Sequence, residues 1–159
     1  MKGKTRILVR AVALAAYCGI AASASPVTSY LCIGELSTGF AMNAQSHKWN
    51  RVNFNPNRYV IKAPTQGPNA PSGALTSSMA VYEFGKTGVG EETAFCGGDF
   101  NAEGYLFCMG LGEDFNFNRQ TLRFIHSFPH GYIEPSKTSF WGPEGSVTPL
   151  LEIGACTAI

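Results

Sequence analysis

Two glutamates are the residues whose type and placement could support hydrolysis. Glu83 lies in the segment Val81–Gly85 and Glu152 in the segment Leu150–Gly154, and both segments surround the acid with apolar residues and end in glycine. If one closed sheet turned both carboxylates inward, the pair could hydrolyse a glycoside or bind a cation. Charged strand residues usually face solvent. Outward-facing glutamates without a catalytic role are the competing interpretation, and we adopt it.

The histidines offer a second possible source of chemistry. His126 and His130 are separated by Phe128-Pro129, and the proline prevents the two rings from sharing one helix face. We expect His47, His126 and His130 to be solvent-exposed turn residues, with no metal ion and no cofactor bound. The sequence contains no Gly-x-Ser-x-Gly elbow, no His-Glu-x-x-His pair and no phosphate-binding loop.

An aromatic pair, Phe140 and Trp141, stands before Gly142-Pro143 in a stretch with the composition of a loop. Exposed, the two rings could contact a sugar ring or a partner protein. Buried, they would close one end of the folded domain. Both alternatives stay open, and the pair is a candidate binding site.

Cysteines supply the strongest structural prediction. Between Cys96 and Cys108 the chain has a turn near Ala102, so a hairpin would set these two cysteines opposite each other, at disulfide distance. Cys32 is then left to pair with Cys156. A zinc site is the alternative, but the sequence has no Cys-x-x-Cys pair and export favours oxidation.

The elements that would position these residues are short strands. No long stretch has helical periodicity, and runs of β-branched and aromatic residues alternate with Gly, Asn and Pro. The segments read as strands are Ser29–Ile33, Gly39–Asn43, Lys48–Phe54, Arg58–Lys62, Met79–Gly85, Thr93–Phe100, Gly104–Gly110, Asp114–Asn118, Leu122–Ser127, Gly131–Pro135 and Pro149–Cys156. Such short gaps favour antiparallel hairpins. The Pro/Gly-rich stretch 63–78 is a long loop, either a connector or a lid, and we favour the connector.

The sequence also predicts two similar halves, because segments 31–34, 40–43 and 81–85 match segments 107–110, 115–118 and 150–154 in order. This places Cys32 and Cys108 at equivalent positions. Cys32 can have a neighbour to bridge only if the last strand lies beside the first. We therefore predict an all-β fold, a single antiparallel β-barrel or strongly curved sheet with an internal pseudo-repeat and two disulfides. An immunoglobulin-like sandwich is the less favoured fold, because the Cys…Trp…Cys framework of that fold is absent from this sequence. The predicted core aromatics are Phe40, Trp49, Tyr59, Phe84, Phe95, Phe107, Phe115, Phe117 and Phe124.

The N-terminus predicts export. Basic residues at the start precede an apolar stretch, Ile7–Ala22, and the small residues Ala22-Ser23-Ala24 suit signal peptidase. Residues 1–24 are thus predicted to be a signal peptide, and 25–159 a single β domain in a bacterial periplasm or outside the cell. Arg10 interrupts the apolar stretch and argues against a transmembrane anchor. Tyr17 before Cys18 argues against a lipoprotein.

Charge excludes two classes of partner. After loss of the four basic residues Lys2, Lys4, Arg6 and Arg10, 8 of the 12 Lys+Arg remain against 11 Asp+Glu, a formal net charge of −3. Without a basic cluster, neither nucleic acid nor an anionic membrane surface is an expected partner. No second apolar segment is long enough to span a bilayer.

The pattern of Gly39-Phe40, Trp49, Tyr59-Val60-Ile61 and the ending 148–156 resembles a family of small exported bacterial proteins of unknown function. The resemblance implies no activity, ligand or catalytic residue. We expect a non-enzymatic, disulfide-linked β domain of the cell envelope that binds a small ligand or a protein partner. The alternatives are a hydrolase that uses Glu83 and Glu152, and a structural envelope component without a pocket.

Overall fold

The computed structural model describes residues 29–66, 77–132 and 148–159. Within these ranges the chain forms strands β1 (Tyr30–Asn43), β2 (Lys48–Phe54), β3 (Arg58–Lys62), β4 (Ala80–Glu83), β5 (Glu92–Cys96), β6 (Tyr105–Met109), β7 (Asp114–Asn118), β8 (Arg123–Phe128) and β9 (Leu150–Ala158), with a 3-10 turn at His130–Tyr132. The predicted signal peptide and the aromatic pair Phe140 and Trp141 lie outside the described residues. No helix in the described ranges is long and apolar enough to cross a membrane.

Eight of these strands close into an antiparallel barrel. The ring runs β1-β3-β4-β5-β6-β7-β8-β9, and β9 pairs back onto β1. Each strand pairs with the next one around the ring, which is an up-and-down arrangement that hairpins can build. The prediction of a closed antiparallel barrel is confirmed.

The first strand is longer than predicted, because Gly34 and Gly39 do not interrupt it. Tyr30–Ile33 pairs with β3, and Ser37–Asn43 pairs with β2 in the same register. β2 and β3 are thus one strand broken around Pro56, a residue that cannot donate a ladder hydrogen bond. Pairing on both sides of β1 outweighs the low strand preference of glycine.

Two disulfides link neighbouring strands of the ring. Cys32–Cys156 joins β1 to β9, where the barrel closes, and Cys96–Cys108 joins β5 to β6. Both predicted pairings are confirmed. Two such bonds indicate an oxidising compartment.

The positions of the two disulfides in the ring are the feature that agrees with the predicted internal repeat. β1 and β6 are four ring positions apart, as are β9 and β5, so the two bonds lie on opposite sides of the barrel. Segments 31–34 and 40–43 belong to one strand, whereas their predicted equivalents fall in the β6–β7 hairpin. Glu83 on β4 and Glu152 on β9 are three ring positions apart by the shorter way, through β1 and β3, instead of four, so they are not equivalent.

The barrel interior is filled by inward-facing side chains, mostly aromatic and aliphatic. The buried core comprises Tyr30, Tyr59, Ile61, Met79, Val81, Ala94, Leu106, Phe115, Phe117, Phe124 and the four disulfide cysteines. Stacked rings of Phe115 and Phe124, with centroids 4.9 Å apart, lie in its middle.

Five of the nine predicted core aromatics are not buried in the barrel interior. Tyr59, Phe115, Phe117 and Phe124 are buried, Trp49 and Phe95 are partly exposed, and the prediction is wrong for three exposed rings, Phe40, Phe84 and Phe107. Strand alternation explains the case of β6: Cys108 must face inward to reach Cys96, so its neighbour Phe107 faces outward.

Candidate functional site

Polar side chains replace the apolar core at one end of the barrel. Glu152 is fully buried on the inward face of β9, four residues before Cys156. The backbone N–H of Asn57 donates to its Oε1 at 3.0 Å, and the Tyr59 hydroxyl donates to its Oε2 at 3.5 Å. Ser37, its cross-strand partner on β1, is also buried beside it. A buried carboxylate needs such donors.

A local irregularity in β1 makes space for this carboxylate. The pairing of β1 with β9 shifts between Gly34 and Leu36, which forms a bulge. The Gly34 N–H donates to the Asn57 carbonyl at 2.8 Å, across the break at Pro56. A Cβ at Gly34 would overlap Glu152 Oε1 and lie 2.7 Å from Pro56 Cβ. Only glycine therefore fits beside the buried acid.

Hydrogen bonds extend from Glu152 toward solvent. The Tyr59 hydroxyl lies 2.9 Å from His126 Nδ1, and His126 Nε2 lies 3.3 Å from Glu113 Oε2. The His126 side chain is 6% exposed and that of Glu113 is 28% exposed. We call Glu152, Tyr59, His126 and Glu113 the polar cluster. It begins in the fully buried interior and ends at a partly exposed carboxylate.

Two atoms of the polar cluster lack hydrogen-bond partners. His126 Nε2 and Glu113 Oε2 are both buried, and neither has a hydrogen bond, although they lie only 3.3 Å apart. Their geometry does not allow one to donate to the other. The two atoms would form an ion pair if His126 were protonated, but neither has a hydrogen bond, and a buried polar atom without one costs about 1–3 kcal/mol.

Burial shifts the pKa values of the two innermost residues of the polar cluster, Glu152 and Tyr59. It raises the pKa of Glu152, an effect opposed by the Asn57 N–H, by His126 and by the hydroxyls of Tyr59 and Ser37. Burial also raises the pKa of Tyr59 well above its ordinary range, so this hydroxyl keeps its proton. When Tyr59 donates that proton to Glu152, its oxygen can accept from His126 Nδ1–H, and the tautomer with its proton on Nδ1 has its lone pair on Nε2.

Glu83 lies near this cluster but is not part of its hydrogen bonds. It is the cross-strand partner of Tyr59 and shares the inward face of β4 with Val81. Its carboxylate is 44% exposed and forms a 2.5 Å ion pair with Lys86. The structure thus brings Glu83 and Glu152 to the same end of the barrel on either side of Tyr59, with only Glu152 buried.

The expectation of an exposed turn histidine is wrong for His126. Phe124, His126 and Phe128 alternate along β8 and are all buried, because alternate strand residues face the same side. That alternation was the available sequence signal. His47 lies exposed in the β1–β2 turn, as predicted, and His130 is partly exposed in the 3-10 turn. Nothing in the sequence around Glu113 marked it as a site residue.

A second set of polar contacts lies outside the barrel interior. The Tyr82 hydroxyl donates to Glu92 Oε1 at 3.0 Å and accepts from the Thr65 N–H at 2.9 Å. Glu92 Oε2 is buried without a hydrogen bond. These residues join the start of the 63–78 loop to β4 and β5.

Among the residues that the structure describes, no group of three or more His, Cys, Asp or Glu side chains is arranged to hold a metal ion. Comparisons with models of protein families, with curated proteins and with solved structures find no match to this chain.

Proposed function

We propose that this chain is an exported, non-enzymatic domain that binds a small ligand at the polar end of its barrel. The observation that carries the proposal is the pair of buried atoms that lack hydrogen bonds, His126 Nε2 and Glu113 Oε2. A ligand atom in contact with both would supply the missing hydrogen bonds. The proposed compartment agrees with the two disulfides.

Burial favours a small ligand over a protein partner at this site. The side chains of His126 and Glu113 are both largely covered, so little surface is open to a large partner. Rings of Phe115 and Tyr59 flank His126, with centroids 6.0 Å and 5.4 Å from its ring. Such an apolar surround with a few convergent polar groups is typical of small-molecule sites.

The charge of the site favours a cationic ligand or one rich in hydrogen-bond donors. Glu113, Glu83 and Glu152 all lie at this end of the barrel, and Lys86 pairs only with Glu83 among the described ion pairs. Carboxylate oxygens accept hydrogen bonds and attract positive charge.

A hydrolase that uses Glu83 and Glu152 is the second candidate. It is favoured by the contrast between the two acids, since burial raises the pKa of Glu152 while Glu83 is partly exposed beside Lys86. Such a contrast can separate a proton donor from a carboxylate nucleophile. However, Glu152 has no exposed surface, so a substrate would not touch it in this conformation. A structural role in the cell envelope, without a ligand, is the third candidate function.

Native mass spectrometry of the chain purified from a bacterial periplasm tests the binding proposal. We expect a copurifying small molecule on the natural chain and its loss from Glu113→Gln, which keeps the size of the side chain but removes its charge. Glu103→Gln is the matched control, since Glu103 is exposed in the β5–β6 turn. A ligand-free natural chain, or equal occupancy in both variants, would contradict the proposal.

A further inference from the structure

We propose that His126 Nε2 and Glu113 Oε2 together bind a divalent transition-metal ion, with Zn²⁺ the best match, whose open positions are filled by water or the small ligand. The inference deepens the proposed function and rests on it for what occupies those open positions. It departs from the expectation, drawn from the sequence, that no histidine binds a metal ion. Imidazole nitrogen and carboxylate oxygen are both ordinary zinc ligands.

The separation of the two atoms fits a shared ion. In a tetrahedral zinc site with bonds of about 2.0–2.2 Å, two ligand atoms lie about 3.3–3.5 Å apart. His126 Nε2 and Glu113 Oε2 are 3.3 Å apart. They are within reach of each other yet form no hydrogen bond. Ligands of one ion have this relation, because their lone pairs converge on a third point instead of on each other.

The other ring nitrogen of His126 is held as in many metal sites. Histidine ligands usually donate their second N–H to an oxygen that fixes the tautomer and the ring orientation. Here His126 Nδ1 lies 2.9 Å from the Tyr59 hydroxyl, which in turn donates to Glu152 Oε2. The chain of contacts leaves Nε2 as the lone-pair nitrogen and places a carboxylate behind the histidine. In this scheme Tyr59 and Glu152 are positioning residues.

The surroundings favour a cation and leave it exchangeable. No lysine or arginine pairs with Glu113 among the described residues. All four cysteines of the described chain are in disulfides, so none competes for the ion. Two protein ligands leave two tetrahedral positions open, whereas structural zinc sites use four protein ligands. We therefore expect reversible binding that a chelator removes.

Calorimetric titration of the metal-free, disulfide-bonded chain with zinc chloride alone tests this inference. We expect one site, with affinity at least about tenfold weaker in Glu113→Gln and in His126→Gln, because even outer partners of metal ligands contribute tenfold or more. His47→Gln, which alters an exposed turn histidine, should bind like the natural chain. Since His126 is buried, its variant is interpreted only if its thermal unfolding is cooperative; Glu113→Gln provides the independent measurement.

Nitrogen-15 NMR of the imidazoles adds a readout that a purely structural role would not move. Zinc should shift the resonance of His126 Nε2 far more than that of Nδ1. Absence of zinc binding, or binding unchanged by Glu113→Gln, would overturn the inference. If zinc does not bind but an organic ligand copurifies and is lost from Glu113→Gln, the metal inference fails alone. If zinc binds as expected and no organic ligand copurifies, the proposed ligand function fails while the metal site stands.

Discussion

Tyr82 shows how a single polar group can be buried away from the barrel interior. Its neighbour Val81 belongs to the interior core, so Tyr82 points to the outer side of β4, yet it is fully buried. Thr65 and Glu92 satisfy its hydroxyl, and the Lys62 ammonium lies 4.5 Å from the centre of its ring. Thr65, three residues after β3, is therefore held to the outer side of the barrel by the Tyr82 hydroxyl and by its own hydrogen bond to the Thr87 carbonyl.

The buried environment of Tyr82 predicts that the free energy of unfolding falls at alkaline pH. Burial, opposed by hydrogen bonds from Thr65 and reinforced by Glu92, raises the pKa of Tyr82. The unfolded chain loses this proton near its ordinary pKa of about 10, so the stabilisation is complete below that pH and declines above it. Urea unfolding of Tyr82→Phe should show a lower free energy at neutral pH, by about 1 kcal/mol for the lost hydrogen bonds, and a shallower decline above about pH 10. Tyr105→Phe, at an exposed ring, should keep the natural decline.

At the scale of elements, the bulge in β1 and the break at Pro56 act together. Each interrupts a ladder, and the two interruptions lie opposite each other, where the Gly34 N–H meets the Asn57 carbonyl. The space left between them holds the carboxylate of Glu152. Irregular strands at this point thus position the polar cluster.

A methyl group added at Gly34 should disturb both the fold and the site. Gly34→Ala would force Glu152 or Pro56 to move, and such overpacking typically costs about 1–3 kcal/mol. The free energy of unfolding from urea titration should fall by that amount. Gly98→Ala is the control, because a Cβ there meets no atom within 4 Å. Equal stability of the two variants would show that the space beside Glu152 is not filled as described.

In the whole molecule, the two disulfides close loops of very different length. Cys32 and Cys156 are 124 residues apart in sequence, whereas Cys96 and Cys108 are 12 apart. In the chain-entropy account, the long loop contributes about 5 kcal/mol and the short loop about 3 kcal/mol. The longer one also joins the two ends of the barrel ring.

Double serine variants should therefore rank in that order. Cys32→Ser/Cys156→Ser should lose more unfolding free energy than Cys96→Ser/Cys108→Ser, with a difference of about 2 kcal/mol. Guanidinium titration of both variants measures this difference directly. A larger loss from the Cys96–Cys108 variant would contradict the entropic account for this chain.

Sequence reasoning reached the barrel, its disulfides and one acid of the polar cluster, Glu152, but not the parts played by His126 and Glu113. The pairing followed from hairpin spacing between Cys96 and Cys108, which is local information. The buried role of His126 depended on which face of β8 meets the interior, and a shift of one residue reverses every such assignment. Glu113 lies two residues before Phe115, the cross-strand partner of His126, so the two side chains meet as diagonal neighbours across the β7–β8 pair. The contacts of His126 with Tyr59 and Glu152, by contrast, join strands from both ends of the chain and depend on closure of the barrel.

The β1–β2 hairpin extends beyond the closed ring, so the sheet keeps one open edge at β2. Among the strands described, β2 pairs with β1 alone, so its other side offers open backbone groups. Lys48 and Arg51 stand exposed on this strand. Two strands of this kind from different molecules would bring like charges together if they joined, which discourages fibre-like stacking. We therefore expect replacement of these two charges by neutral residues to make the protein more prone to aggregate at high concentration.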